Sequence, residues 1–287
     1  MDFLRPTTWA EALAAKADRP EAVPVQGGTD VMVEINFDVR RPAALLDLTR
    51  VAELREWETA GGMCRVGAGV SYATVIAELA GPLPGLAQAA RTVGSPQIRN
   101  RGSVGGNLGA ASPAGDSHPP LLAAGAVVEV ESRDRGVRTI PAAEFYLGVK
   151  RSALLPDELI RAVRVPPATG PQYFSKVGTR NAMVIAVCSF AVALHPGERR
   201  VGTGIGSAAP TPRRALEAED FLARELDWDA PALDPGVAER FGRLCAAAAA
   251  PIDDVRGTAA YRVHAVGVMA RRTLAWAWND HHGRRAA

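Results

Sequence analysis

Short apolar runs alternate along the chain with polar and glycine-rich breaks, and their spacing predicts the elements in turn. Thr8 and Glu11 form a Thr-x-x-Glu capping box before an alanine-rich stretch, so a helix is predicted from about Trp9 to before Pro20. Val23-Pro24-Val25 reads as a strand entering the Gly27-Gly28 turn, and Thr29 or Asp30 can cap a helix over Val31–Phe37. Ala44–Leu48 is another strand. Gly61-Gly62 joins the arms of a hairpin ending near Ala68, and Ser71 can cap a helix over Tyr72–Leu79. A second hairpin pairs Ala126–Glu131 with Val137–Ile140 across the polar Ser132–Gly136 turn. Pro141 opens a short helix, and Leu159–Val165 is a strand stopped by Pro166-Pro167.

The linker Ala168–Gln172 follows, and a domain boundary is expected there. Beyond it lie three strand-like segments, Tyr173–Val177, Met183–Leu194 and Arg200–Ser207. Helical segments come next, near Arg213–Glu225, Gly236–Ala250 and Thr258–Trp278. Strands followed by helices, rather than alternating with them, predict an α+β layer of helices on an antiparallel sheet. The 287-residue length exceeds one usual core, which fits two domains, and no internal repeat is visible.

Composition removes several function classes. Hydrophobic residues make up 47% and charged residues 22%, which permits a packed core. The 33 basic and 31 acidic residues are scattered, without the basic clustering that a phosphate backbone would need, so nucleic acid is not an expected partner. The N-terminus lacks a basic segment followed by an apolar run, and no stretch is long enough for a membrane span, so a cytoplasmic location is expected. Cys64, Cys188 and Cys245 are far apart and cannot hold an iron–sulfur cluster by themselves, which places any such centre on another chain. His118, His195 and His264 have no ligand at metal-binding spacing, so no metal site is expected.

Two glycine-rich segments carry the candidate chemistry: Val25, Gln26, Gly27, Gly28, Thr29 and Asp30, and the longer run from Thr92 to Asn107. Glycines let backbone amides approach a ligand closely, and amides at a helix start favour an anion, so both segments could cradle a pyrophosphate. The first could equally be a tight turn with an Asx cap. In the second, Gly102, Gly105, Gly106 and Asn107, followed by Ala111-Ser-Pro-Ala-Gly-Asp116, put small residues, hydroxyls and a carboxylate on what reads as an extended loop. A Rossmann G-x-G-x-x-G is missing: Gly202-Thr-Gly-Ile-Gly-Ser207 fails at the last glycine and reads as a strand end, as does Gly67-Ala-Gly69. A P-loop is absent too.

Gly27-Gly28-Thr29-Asp30, Gln97–Asn107 and Ala111–Asp116 closely resemble the FAD-binding chains of the xanthine dehydrogenase and carbon monoxide dehydrogenase flavoprotein family. The resemblance continues through Tyr173-Phe-Ser-Lys176 with Arg180, and Pro251–Arg256 with Tyr261-Arg262, and so spans nearly the whole chain. It implies an α+β chain: a two-part FAD-binding domain of the vanillyl-alcohol-oxidase (PCMH) type over 1–168, with parts of about 1–60 and 61–168, then a smaller C-terminal domain over 169–287. It also implies that Val25 to Val31 lie against the FAD pyrophosphate. Thr92, Val93, Gly94, Ser95, Ile98, Ser103, Gly105, Gly106 and Asn107 match positions around the flavin and its diphosphate. Asp116 matches a carboxylate near ribose or adenine, Ile160 a strand position beside the flavin, and Lys176 a lysine reaching FAD from the second domain. Tyr173 either borders the flavin ring or serves packing, and the Arg256 and Tyr261-Arg262 cluster is read as structural.

The family's Thr-Ile-Gly-Gly turn is Thr92-Val-Gly-Ser95 here, and Pro96 removes an amide donor, so contacts with the flavin ring are expected to differ and the identity of the acceptor stays open. The resemblance implies a subunit that moves electrons from [2Fe-2S] clusters on a small partner chain through FAD to NAD, oxygen or quinone, beside a large molybdopterin chain. Two alternatives stand beside it. A self-sufficient flavin oxidoreductase would need a substrate pocket and a base, and neither is apparent. A non-catalytic docking subunit would not need the glycine–asparagine run or Lys176.

Overall fold

The structure, a computed structural model, describes residues 1–283; the end of the expected C-terminal domain, 284–287, lies outside the described residues. The first layer is a parallel sheet in which Ala44–Asp47 is flanked by Asp2–Leu4 and Val23–Val25. Its central strand is buried at every position, as a parallel strand covered on both faces requires. The predicted capping box closes the Trp9–Asp18 helix, with Thr8 accepting from the Glu11 amide and Glu11 accepting from Thr8. The Val23–Val25 strand leads through the glycine turn into a short helix, Val31–Asn36. Asp30 sits at its N-cap position but makes no side-chain cap bond, because its backbone is already helical instead of extended.

The second sheet has five antiparallel strands in the order Trp57–Ala60, Met63–Gly67, Leu159–Val165, Val127–Ser132, Gly136–Pro141. Both predicted hairpins are present, and the strand latest in the chain enters between them. At that central strand the pairing shifts register between Ile160 and Ala162, a bulge that leaves Arg161 unpaired in the ladder.

The expected extended loop from Gly102 to Asp116 contains a helix, Val104–Ala110, which follows another short one over Pro96–Arg101. Serine caps explain the correction. Ser95 accepts from the Ile98 amide ahead of Pro96 at the first helical position, and Ser103 accepts from the Gly106 amide. Pro96 therefore gives up an amide that would have had no helical partner. Gly105 is needed for packing, since a Cβ there would lie 2.4 Å from the Ala68 Cβ.

In the C-terminal part Gln172–Val177, Cys188–His195 and Arg200–Gly206 form the antiparallel sheet. Helices Leu216–Glu225, Pro235–Ala248 and Ala259–His281 share a core with one face of it. Of the glycines in Gly202–Ser207, read as a strand end, Gly206 ends the last strand while Gly202 and Gly204 fall within it. The expected strand from Met183 starts only at Cys188. Met183 adopts a positive φ of 51°, and Met183 and Ile185 are exposed, so the start of this apolar run is not core, whereas Ala186 and Val187 are buried. The opposite face of the sheet meets two unpredicted helices, Pro84–Thr92 and His118–Ala123, through a small cluster of Ala89, Ala123, Phe174, Ala191 and Ala193.

Candidate functional site

One large cleft, of ≈ 740 Å³, runs along the meeting line of these layers and falls in the range of small-molecule and cofactor clefts, roughly 300–1,000 Å³. Its floor is the glycine turn after the Val23–Val25 strand, facing the capped segment that contains Ser103, Gly105, Gly106 and Asn107. The two are welded together at Gly27, where a Cβ would stand 2.1 Å from the Arg101 carbonyl oxygen. Ile160 borders the cleft from the bulged strand, and Val184 and Ile185 close it from the segment before Cys188.

Sixteen of the sequence-predicted residues meet in this lining: Val25 to Val31, Val93, Gly94, Ile98, Ser103, Gly105, Gly106, Asn107, Asp116 and Ile160. Thr92, Ser95 and Lys176 do not. Ser95 is occupied as a helix cap. The Thr92 hydroxyl donates to the Ala89 carbonyl and to Asp116 Oδ2, at 2.8 and 3.2 Å. Lys176, expected to reach the ligand, instead donates to Asp116 Oδ2 at 2.6 Å and to the Thr92 carbonyl at 3.2 Å. The reason is electrostatic: an ammonium this far from water needs a counter-charge, and Asp116 supplies it. Burial raises the Asp116 carboxyl above its ordinary value, against the opposing pull of Lys176. Tyr173 packs near Trp276, with ring centroids 6.4 Å apart, and is not part of the lining.

Several lining residues carried no local signal. Tyr72 borders the cleft and bonds Ser117 across 2.7 Å, while burial raises its phenol far above the ordinary value. Lys150 and Glu34 form an ion pair at the rim, although 116 positions separate them. Only folding brings such residues together.

The unpaired polar groups indicate the kind of ligand that fits. Among the described residues, the amides of Gly27, Gly28, Thr29 and Asp30 have no hydrogen-bond acceptor, leaving a row of donors suited to a pyrophosphate. Gln26 Oε1, Asn107 Oδ1 and Asp116 Oδ1 are buried acceptors without donors, suited to hydroxyl, imide or amino groups. A flavin dinucleotide offers both kinds of partner, and the apolar Ile160, Val184 and Ile185 suit an aromatic ring. The residues present therefore fit FAD.

Comparison with known proteins agrees. The model of the FAD-binding domain in molybdopterin dehydrogenase matches residues 1–168, more than half of the chain, and the carbon monoxide dehydrogenase flavoprotein C-terminal domain matches 173–277. The chain belongs to the FAD-binding subunits of the molybdenum hydroxylases. Within this family, the xanthine dehydrogenase FAD-binding subunit of Escherichia coli O157:H7 is 31% identical over 284 residues, covering 95% of this chain and 94% of that protein. The carbon monoxide dehydrogenase medium chain of Afipia carboxidovorans is 32% identical over 280 residues, 95% of each. A solved chain of carbon monoxide dehydrogenase from Hydrogenophaga pseudoflava superposes with a TM-score of 0.90 at 28% identity, covering 100% of this chain and 98% of that one. Like its relatives, this molybdenum hydroxylase subunit has the α+β order read from the sequence: FAD-binding domain first, antiparallel sheet with helices second. Among the described residues no helix is long and apolar enough to cross a membrane.

Proposed function

We propose that this flavoprotein subunit holds FAD in the cleft between the Val25–Val31 turn and the Val93–Asp116 segment. There it passes electrons from [2Fe-2S] clusters of a small partner chain to a terminal acceptor, beside a large molybdopterin chain. The observation that carries the reading is the pairing, within one cleft, of unsatisfied amides at Gly27–Asp30 with unsatisfied buried oxygens at Asn107 and Asp116. FAD, when bound, takes up electrons singly and can release them as a hydride pair. The chain's own part is to bind and orient. The glycine-turn amides hold the diphosphate, Asn107 and Asp116 Oδ1 take the polar edges, and Ile160, Val184 and Ile185 keep water from the ring. Lys176 acts through Asp116, fixing its free oxygen toward the cleft. The dispersed cysteines favour iron–sulfur centres on a separate chain, and the name medium chain borne by the Afipia relative supports larger and smaller companions.

The test is an absorbance spectrum of the purified chain, with the nucleotide released on denaturation identified and iron assayed. Flavin bands, released FAD and no iron are expected; a protein that stays colourless after incubation with FAD would overturn the reading. Reoxidation of the dithionite-reduced protein by NAD, oxygen or a quinone then identifies the acceptor class.

A further inference from the structure

A second cavity, of ≈ 210 Å³, adjoins the glycine turn, and among the described residues Gln26 alone lines both it and the larger cleft. Arg55, at the end of the Ala52–Arg55 3₁₀ turn, and Arg101, at the end of the Pro96–Arg101 helix, line it together with Thr49, Ser71, Thr74 and Asn100. Backbone bonds fix these segments against one another. The Gly69 amide donates to the Leu54 carbonyl at 2.7 Å and the Tyr72 amide to the Gly102 carbonyl at 3.0 Å, so the chain neighbours of both arginines are anchored. A Cβ on Gly69 would stand 2.9 Å from Gln26 Nε2, so the bare glycine makes room for the amide end of Gln26 beside the cavity.

The lining is chemically one-sided. Among the described residues no aspartate or glutamate borders the cavity, and neither the Arg55 nor the Arg101 guanidinium has an ion pair or a hydrogen bond. Arg99, on the same helix as Arg101, instead donates to the carbonyls of Arg91, Val93 and Gly94. Neutral groups add further donors. Ser71 Oγ accepts from the Thr74 amide at 3.1 Å and lies 3.0 Å from the Thr74 hydroxyl, a contact that uses one hydroxyl proton of the pair and leaves the other for a ligand. The side chains of Thr49 and Asn100 are likewise without partners among the described residues. Together these donors exceed what a carboxylate's pair of oxygens accepts and suit the oxygens of a phosphoryl group, which the guanidinium fork matches in shape. The volume lies below the roughly 300–1,000 Å³ of clefts that enclose a whole cofactor, so the cavity suits a headgroup and not a nucleotide.

We propose that this cavity is a second binding site, separate from the FAD cleft, for a phosphoryl group, either free phosphate or the phosphate of a small phosphorylated metabolite. Arg55 and Arg101 supply the counter-charge, and Thr49, Asn100 and the Ser71–Thr74 pair supply neutral donors. Since only Gln26 borders both cavities, the inference stands whether or not the larger cleft holds FAD.

Calorimetric titration of the full-length chain with inorganic phosphate, in a buffer of low ionic strength, tests it. One phosphate per chain is expected, with a Kd of about 1 mM or tighter. Arg55→Gln and Arg101→Gln should each weaken binding about tenfold or more, while Arg224→Gln, which removes an exposed arginine from the Leu216–Glu225 helix, should leave it unchanged. No saturable binding up to about 20 mM, full affinity in both cavity variants, or an equal loss in Arg224→Gln would overturn the site. Malonate binding more tightly than phosphate would overturn the phosphoryl assignment. Glycerol 3-phosphate binding more tightly than phosphate identifies a phosphorylated metabolite as the source, and equal or weaker binding identifies free phosphate. Should a cavity variant fail to fold, modification of the wild-type chain by phenylglyoxal, mapped by mass spectrometry, decides instead. Phosphate is expected to protect Arg55 and Arg101, and their unaltered modification overturns the proposal.

Discussion

Lys176 and Asp116 show how far a residue's role can move between sequence and structure. Both stand in segments that resemble a flavin-binding family, and both read as groups reaching the nucleotide. Folded, they bond to each other at 2.6 Å, with side chains only 8% and 7% exposed. The pair leaves one Asp116 oxygen for the cleft and none of the lysine. Lys176→Ala would strand a buried carboxylate, and we expect it to lower unfolding free energy in urea by about 3–5 kcal/mol. The double change Lys176→Met with Asp116→Asn should recover much of that, because both charges leave together. A loss below about 1 kcal/mol in the single variant would show that the carboxylate is satisfied without its lysine. No periodicity or spacing announces such a pair, since its members lie 60 positions apart.

At the level of elements, the five-stranded sheet carries the bulged strand that borders the cleft, and charges from three strands meet on it. Glu129 accepts from Arg65 at 2.7 Å and pairs with Arg164 at 2.9 Å, one from each of two other strands. Burial pushes its carboxyl up, but Arg65, Arg164 and Arg161 together hold it below the ordinary value of 4.5. A carboxyl depressed in the folded state stabilises above its unfolded value, and that stabilisation is lost as pH falls through the folded one. Glu129→Gln is therefore expected to cost about 1–2 kcal/mol at pH 7, limited by the partial exposure of Arg161 and Arg164. In denaturation series from pH 7 to 3 the gap from wild type should close below about 4.5; a constant gap would mean that the charge is not its origin. Part of the element pattern was readable: both hairpins, the Leu159–Val165 strand and the serine-capped Tyr72–Glu78 helix follow from alternation, turn residues and caps, while the strand's central place in the sheet does not. The helical Pro96–Ala110 segment was not, because its glycines score as loop while two serine caps and packing against Ala68 decide otherwise.

Over the whole molecule, two large cores are joined by a narrow seam. Gln88 clamps it by accepting from the Phe174 amide at 2.9 Å and donating to the Gln172 carbonyl at 3.3 Å. The Lys176–Asp116 pair crosses the same seam beside the cleft. FAD is thus expected to stabilise both halves together: at a hundred times its Kd it adds about 2.7 kcal/mol. Hydrogen exchange should then slow in Cys188–His195 as well as in Leu159–Val165. Two separate thermal transitions, with FAD shifting only one, would show that the seam does not couple the cores.

Local signals decided much about this protein. Caps, turn glycines and two-residue alternation act over a few neighbouring positions, so both hairpins, the helices capped by Thr8 and Ser71, the α+β class and the position of the glycine-rich segments were legible in the chain alone. The resemblance carried by those loops correctly indicated the family, because the motifs are contiguous in sequence. Side-chain partnership was decided only by the tertiary structure. Asp116 bound to Lys176, and Val184 and Ile185 placed at the cleft, each depend on segments tens of residues apart meeting. Burial then requires every charge and lone pair that meets there to find a partner, and local sequence does not state which one.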